Sequence, residues 1–423
     1  MDRTFLKSQL LIWLTLLLLL VGHRAVLASD ASSESYRFVT DRRLSSDKCY
    51  PPKQKIFGPF RNSGTLSAGL ITVKHSKDGK ASVLPDFESV DSAEKMISDV
   101  KTACAAAEKA GKQPCIIVYV HGFNATFSQG VKAIDSLNRY YSNNLKDSGD
   151  KAGKVALIPI LYSWPSMGSK YAYMQDECSL EWSFPKFKKF VDDLSAVTDT
   201  SNIHLVAHSL GNKLLFLYLS QKSKNPPVLG TAVMASPDID FGTAEEYKLE
   251  ISARVQHLFV LLSNKDKPLI GSRSLHGYSR LGRPSLGPIR SLWLDQFRTG
   301  SIPNIVSTTI YLPLLLIERC GYREQEWIKI HKAGAPDWIQ NATLIDFTNI
   351  DKRWKGHSLC WRLIVPLVLS GKIPFDEEHT DPTCNSPDYY RMCSLFPPRI
   401  CDPLHSFETT QPYKIIHLKK TCR

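Results

Sequence analysis

Ser209 lies where a serine hydroxyl can be made into a nucleophile. The segment IHLVAHSLGN begins as a short apolar run at Ile203 and passes through Ser209 into a stretch with helical spacing. A sharp turn from a strand to a helix holds a serine with its hydroxyl pointing out of the sheet. Ala207 and Gly211 flank the serine where strand and helix approach closely, so both must be small. The pattern predicts a serine that forms acyl-enzyme intermediates; a surface serine on an ordinary strand–turn–helix is the alternative.

The segment VYVHGFN has the groups needed to stabilise a negative charge on a substrate oxygen. Gly122 lets the backbone turn at the end of a predicted strand, so that the amide of Phe123 can point at the developing charge. The amide of Leu210, at the start of the helix after the serine, is the predicted second donor. These two amides are our candidate oxyanion hole.

Two further residues of this segment have other predicted roles. His121 is interpreted as a residue that orders the loop and not as a general base. Asn124 begins an Asn-Ala-Thr glycosylation sequon. We expect it to be unmodified, because a glycan there would lie against the site.

The serine needs a general base, and that base needs a carboxylate to orient it. On scaffolds with this kind of turn, the acid and then the histidine follow the serine along the chain. Asp266 follows the predicted strand at 255–262 and is the preferred acid. Asp238 and Asp240 follow the preceding predicted strand and are the alternative, with loop capping or a hydrogen bond to the Ser209 turn as their other interpretation.

The predicted base is His357, which comes shortly after the predicted strand at 342–347. A histidine in this position completes the order serine, acid, histidine. The other histidines considered precede that strand or lie in the tail: His276, His331, His379, His405 and His417.

Short apolar strands alternate with helical segments over most of the chain. Strands that are almost continuously apolar are typical of a parallel sheet buried on both faces. We predict an α/β fold with a mostly parallel central sheet flanked by helices and an insertion before the last strand. The predicted core strands are 115–120, 155–162, 203–207, 228–235, 255–262 and 342–347, and the helices 92–110, 125–144, 184–197 and 211–221.

An ordered set of motifs resembles a largely uncharacterised family of bacterial α/β hydrolases with esterase-like motifs. The set covers most of 36–371 and comprises FVTDR at 38–42, FG at 57–58, AG at 68–69, VHGFN at 120–124, SWPS at 163–166, Tyr173 with Asp176, AHSLGN at 207–212, ASPDID at 235–240, SNKD at 263–266, LHG at 275–277, RLG at 280–282, and ID at 345–346 leading to GHS at 356–358. The resemblance implies an α/β-hydrolase fold and points to Ser209, Asp266 and His357. The chain departs from the family in an insertion at 283–338 and in the tail after Gly371.

The N-terminal residues predict export. Arg3 and Lys7 precede an apolar run at 10–22, and small residues follow up to Ala28, which is the layout of a secretory signal peptide. The run is shorter than the roughly 20 residues of a membrane span. We expect cleavage after Ala28 and a secreted or extracytoplasmic chain, with an uncleaved anchor as the alternative.

The expected organisation has four parts: a signal peptide at 1–28, an N-terminal extension with a small β-meander and a helix at 29–110, a hydrolase core at 111–371, and a Cys- and Pro-rich tail at 372–423. The insertion at 283–338 contains an apolar run at 305–317. That run belongs either to the core or to a lid or pocket wall that favours acyl chains, and we expect the second.

Ten cysteines in an exported chain predict disulfides, with the pairing left open. A zinc site is not expected because no CxxC pair is present, and no metal or other cofactor is predicted.

The formal charge of +12 comes from scattered Lys and Arg without a nucleic-acid motif. A nucleic-acid partner is therefore not expected, whereas contact with anionic membrane surfaces is compatible with the charge.

The predicted activity is hydrolysis of carboxylic esters, with a small-molecule or lipid-like ester as the substrate. The same residues would also support acyl transfer to an alcohol or cleavage of an amide. A non-catalytic secreted binding protein on a hydrolase scaffold is the competing class. An intact set of serine, histidine and acid argues against it, because a binding scaffold does not need one.

Overall fold

The computed structural model describes residues 33–44, 57–76, 81–145, 151–223, 226–263, 265–283, 342–346, 357, 359–371 and 415–417. The predicted signal peptide, the insertion beyond Arg283 with its apolar run, and the tail apart from 415–417 lie outside these ranges. The expectations for those segments stay predictions.

Ten of the described strands form one sheet, in the order β12-β11-β10-β9-β8-β6-β7-β1-β4-β5. The strands are β1 (Ser33–Thr40), β2 (Arg42–Leu44), β3 (Phe57–Arg61), β4 (Ser67–His75), β5 (Ala81–Ser92), β6 (Gln113–Val120), β7 (Val155–Ser163), β8 (Ile203–His208), β9 (Leu229–Ala235), β10 (Val255–Leu262), β11 (Ala342–Asp346) and β12 (Ile415–His417). Neighbours from β12 to β1 run parallel, whereas β1–β4 and β4–β5 are antiparallel. The prediction of a mostly parallel central sheet is confirmed.

The helices cover both faces of this sheet. They are α1 (Ala93–Lys109), α2 (Phe127–Asn144), α3 (Tyr173–Ser195), α4 (Asn212–Leu219), α5 (Phe241–Glu246), α6 (Lys248–Ser252), α7 (Lys267–His276) and α8 (Trp361–Ser370). Apolar residues of α1, α3 and α4 form one buried cluster with the sheet, and those of α2 and α8 form the second. Because both faces are covered, the central strands are buried along almost their whole length and are mostly apolar, as in β6 and β9.

Side-chain caps fix where several helices begin. Ser92 accepts a hydrogen bond from the amide of Lys95 at the start of α1. Thr126 and Gln129 form a reciprocal capping box at the start of α2. Asp266 caps α7 by accepting a hydrogen bond from the amide of Leu269, and this places a carboxylate shortly after the end of β10.

Two features go beyond the sequence analysis. The N-terminal extension is not a separate layer, because β1, β4 and β5 continue the main sheet through the pairing of β1 with β7. The strand β12 pairs with β11 and so extends the sheet past the strand that we expected to be the last.

Four of the ten cysteines lie in the described residues: Cys104 and Cys115 are buried free thiols, Cys178 is an exposed free thiol, and Cys360 is half-buried at the start of α8. Burial raises the pKa of the Cys115 thiol to about 12, which makes it unreactive. Six cysteines lie outside the described residues, and disulfides among them stay a prediction.

Within the described ranges, no helix has both the length and the apolar character that crossing a bilayer requires.

Candidate active site

Ser209 occupies a strained turn between β8 and α4. Its φ is +52°, a left-handed conformation that costs a non-glycine residue about 1–3 kcal/mol. A short 3₁₀ turn from Ser209 to Gly211 leads into the helix. A Cβ on Gly211 would lie 2.2 Å from the carbonyl oxygen of His121, so no larger residue fits without moving the backbone. The predicted strand–turn–helix around Ser209 is confirmed.

The hydroxyl of Ser209 is hydrogen-bonded to His357, which is hydrogen-bonded to Asp266. The distances are 2.8 Å from Ser209 Oγ to His357 Nε2 and 2.7 Å from His357 Nδ1 to Asp266 Oδ2. A carboxylate can only accept, so the Nδ1–H donates to Asp266 and Nε2 is left to accept from the serine. The structure therefore brings the three predicted residues together in the order that proton transfer from a serine requires.

Asp266 is held by two partners at once. It is fully buried, its Oδ1 accepts a hydrogen bond of 2.9 Å from the amide of Leu269, and its Oδ2 faces His357. Burial raises the pKa of Asp266, and the neighbouring His357 opposes that rise. Because each oxygen has its own donor, the carboxylate orientation is fixed.

The two alternative acids have other partners in the described part of the chain. Asp238 pairs with Arg280 at 2.6 Å and accepts hydrogen bonds from Tyr173 and Ser272. Asp240 caps α5 by accepting from the amide of Thr243 at 2.7 Å. The predicted alternative roles are loop capping or a hydrogen bond to the Ser209 turn: Asp240 caps a helix, and the backbone amide of Asp238 donates to the carbonyl oxygen of Ser209 at 3.2 Å.

His276 faces a different group. Its Nδ1 donates to the carbonyl oxygen of Ser272 at 2.8 Å, and its Nε2 lies 3.3 Å from the carboxylate of Glu177. The hydrogen bond from His276 lowers the pKa of Glu177 to about 2, and Glu177 in turn raises the pKa of His276. This pair links α3 to α7.

The other histidines considered as candidate bases all follow α7 in the chain. His331, His379 and His405 lie outside the described residues, and His417 ends β12.

The turn after β6 packs directly on the Ser209 turn. A Cβ on Gly122 would lie 2.9 Å from the Cβ of Ser209 and 2.9 Å from the carbonyl oxygen of His208. Phe123 follows this contact, and Leu210 follows the serine on the other side. The two predicted oxyanion residues therefore lie next to the Ser209 turn, on the two segments that meet there.

His121 orders this turn, as predicted. Burial and the nearby Arg42 lower the pKa of His121 to about 3, so the ring is neutral. Its Nδ1 donates to the carbonyl oxygen of Gly122 at 3.0 Å, which leaves Nε2 to accept from Ser163 and Arg42. The ring also stacks on Trp164.

Other polar residues around the site were quoted in the motifs without a role. They are Arg42, Ser163, Ser166 and Asp176, and all four are buried. A buried Arg or Asp in a short motif is a signal for a structural ion pair, but the sequence does not say with what it pairs. Among the described residues, no group of three or more His, Cys, Asp or Glu side chains is arranged to hold a metal ion.

A family model described as "Alpha/beta hydrolase of unknown function (DUF900)" matches residues 98–299. This range includes Ser209 and Asp266, whereas His357 lies beyond it. A solved structure titled "Crystal structure of esterase PE8" is similar to 38% of this chain and 74% of that chain, with a TM-score of 0.27 and 17% sequence identity. No curated protein matches the chain. The mostly parallel sheet and this match show that the chain has the α/β-hydrolase fold.

Proposed function

We propose that the protein is a serine hydrolase that cleaves carboxylic esters through an acyl-enzyme intermediate. The observation that carries this proposal is the continuous hydrogen-bonded path from Ser209 through His357 to Asp266, with distances of 2.8 and 2.7 Å. Such a path is what a serine needs to lose its proton during attack.

The proposed reaction begins when Ser209 Oγ attacks the carbonyl carbon of the ester and passes its proton to His357 Nε2. The amides of Phe123 and Leu210 donate hydrogen bonds to the oxygen that becomes negative. His357 then gives the proton to the leaving alcohol, and the acyl group stays on Ser209. A water molecule attacks the acyl-enzyme in the same way, with His357 again as the base, and the acid is released.

Asp266 takes no proton in this scheme. Its carboxylate keeps the His357 proton on Nδ1, which leaves Nε2 free to accept, and stabilises the imidazolium that forms transiently. The buried position of Asp266 strengthens this interaction, because a low local dielectric enhances the attraction between the two charges.

The experiment is labelling of the folded chain with a fluorophosphonate, followed by peptide mapping. Ser209→Ala should abolish the label. Ser236→Ala is a matched control, because Ser236 is also buried, also has a positive φ of 44° and also follows a core strand. The control should label at the wild-type rate.

Labelling of another serine, or no label on folded wild-type protein, contradicts the proposal. Hydrolysis of p-nitrophenyl esters of increasing acyl length then defines the substrate class. Added alcohol that diverts the acyl group into a new ester at the expense of hydrolysis would identify a transferase in place of a hydrolase.

We also infer that the mature protein is exported and that its C-terminal cysteines are oxidised. The support is the basic and apolar N-terminus ending at Ala28 together with ten cysteines. Mass spectrometry of the exported chain should find an N-terminus near Ser29. Full-length protein retained in the cytosol with all thiols reactive contradicts this inference.

A further inference from the structure

The loop between β6 and α2 carries Phe123, and side chains from distant parts of the chain hold its backbone. The amide of Asn124 donates to Asp176 Oδ2 at 3.3 Å. The amide of Ala125 donates to Ser166 Oγ at 3.1 Å, and its carbonyl oxygen accepts from Arg42 Nη2 at 2.8 Å. Three polar backbone groups directly after Phe123 therefore have side-chain partners from three other segments.

Asp176 joins this loop to the one that follows β7. The side chain is fully buried near the start of α3. Its Oδ2 accepts from the hydroxyl of Ser166 at 2.6 Å as well as from Asn124, and its Oδ1 accepts from the amide of Met167 at 2.7 Å. One carboxylate thus fixes both loops relative to α3.

Arg42 also binds both of these loops. Its guanidinium is almost fully buried and donates from Nε to Ser163 Oγ at 2.9 Å and from Nη1 to the carbonyl oxygen of Ser166 at 2.9 Å. Nη2 reaches Ala125 and also lies 3.3 Å from Nε2 of His121. The planar, multiply donating guanidinium suits this role better than a lysine ammonium would.

The loop also stores backbone strain. Asn124 has a φ of +57°, a left-handed conformation that persists in a non-glycine residue only where the surroundings enforce it. The strained residue comes directly after Phe123. Hydrogen bonds to Asp176, Ser166 and Arg42 are the restraints that enforce it.

We propose that Asp176 and Arg42 are positioning residues that hold the amide of Phe123 ready to donate to the substrate carbonyl oxygen. The inference rests on the proposed function. Neither side chain touches substrate; both act through the loop. Donors fixed before the reaction begins stabilise the transition state without the free-energy cost of reorganising them.

Asp176→Asn is the test, because the change is nearly isosteric. Both carboxylate oxygens accept hydrogen bonds, so an asparagine must turn its NH₂ toward a donor, either at Met167 or at Asn124 and Ser166. Asp135→Asn in α2 is the matched control. Asp135 is equally buried and accepts from Tyr36 and His75, away from the loop.

The measurement is the ratio of kcat/KM for an ester to kcat/KM for the corresponding thionoester. Sulfur accepts hydrogen bonds weakly. A well-placed amide therefore stabilises the transition state for the thionoester only slightly, whereas it stabilises that for the ester fully. Loss of folded enzyme lowers both rates equally and leaves the ratio unchanged. Asp176→Asn should lower the ratio about tenfold or more, and Asp135→Asn should leave it at the wild-type value.

An unchanged ratio in a folded Asp176→Asn protein overturns the inference while the proposed function stands, provided that wild type is active and Ser209→Ala is not. An inactive, unlabelled wild type overturns the proposed function and this inference with it. If Asp176→Asn does not fold, Ser166→Ala replaces it, since that change removes only the hydroxyl between Asp176 and the Ala125 amide. The ratio should then fall in the same direction, and a wild-type ratio overturns the inference.

Discussion

At the scale of single residues, the site depends on side chains that each have two fixed partners. Asp266 caps α7 with one oxygen and faces His357 with the other. The cap therefore decides which oxygen faces the histidine. Helix capping and orientation of the base are two functions of the same carboxylate.

Asp266→Asn should abolish most activity without unfolding the protein. The asparagine oxygen keeps the cap to Leu269, since Asn is as good an N-cap as Asp. Its NH₂ group then faces Nδ1 of His357, which must accept, so Nε2 carries the proton and cannot take one from Ser209. We expect kcat to fall about 10³- to 10⁴-fold, measured with a p-nitrophenyl ester, with little change in thermal unfolding.

Asp238→Asn is the matched comparison and should show the opposite pattern. Its carboxylate lies 2.6 Å from the buried Arg280, and breaking a buried ion pair costs about 3–5 kcal/mol of stability. Activity per folded molecule should stay within a few-fold of wild type. A larger loss of kcat in folded Asp238→Asn than in Asp266→Asn would show that the acid has been assigned to the wrong strand.

At the scale of elements, the site forms where parallel strands end at one edge of the sheet. Phe123 follows β6, Ser209 follows β8, Asp266 follows β10 and His357 follows β11. Because neighbouring parallel strands share this edge, residues far apart in sequence meet there. The packing of β6 against the turn after β8 is the tightest part of this arrangement.

Gly211→Ala tests that packing. The new methyl group would lie 2.2 Å from the backbone oxygen of His121, and a backbone atom cannot rotate away as a side chain can. The Ser209 turn or the end of β6 must shift, so we expect loss of fluorophosphonate labelling and a lower melting temperature. Gly242→Ala in α5 is the control, because its Cβ would meet a side-chain oxygen at an ordinary 3.4 Å. Wild-type labelling of Gly211→Ala would contradict the tight approach.

The core strands could be predicted from local signals in the sequence, and so could Ser209, Asp266 and His357. Apolar runs mark β6, β8 and β10, and chain order selects Asp266 and His357. The first half of α3 could not be predicted, since its inward face carries Asp176, Ser179 and Ser183, which are polar although they are buried. A helix without an apolar stripe has no periodicity to detect.

The roles of the residues that hold the loop were also beyond sequence reasoning. Arg42 and Ala125 are 83 positions apart, and nothing local to either residue specifies that pairing. The motifs marked Arg42 and Asp176 as notable, but only the fold shows that both hold the same loop. Long-range polar pairing is the part of this site that the sequence leaves open.

At the scale of the whole molecule, the N-terminal strands belong to the same body as the site. Asp41, between β1 and β2, and Arg42, the first residue of β2, are both buried, and Arg42 contacts the loops after β6 and β7. The two buried charged residues are adjacent in the sequence, yet only Arg42 has several hydrogen-bond partners. Within the described residues, neither carboxylate oxygen of Asp41 accepts a hydrogen bond of good geometry, and the nearest hydroxyl is that of Ser183. An ionised carboxylate in that setting is destabilising.

Global stability should therefore depend on pH through Asp41. Burial raises the pKa of Asp41 to about 6, against an ordinary value of 3.8, although the Ser183 hydroxyl and then the charges of Lys186 and Arg42 oppose the rise. The folded state holds this proton more tightly than the unfolded state, so the free energy of unfolding falls as pH rises from about 4 to 6 and stays lower above that. The difference in pKa corresponds to about 3 kcal/mol. Asp41→Asn removes this dependence. We expect urea unfolding to show that, between pH 4 and pH 7.5, the free energy of unfolding of the variant rises relative to that of wild type by about that amount. A difference between variant and wild type that is the same at both pH values would show that Asp41 is not the group responsible.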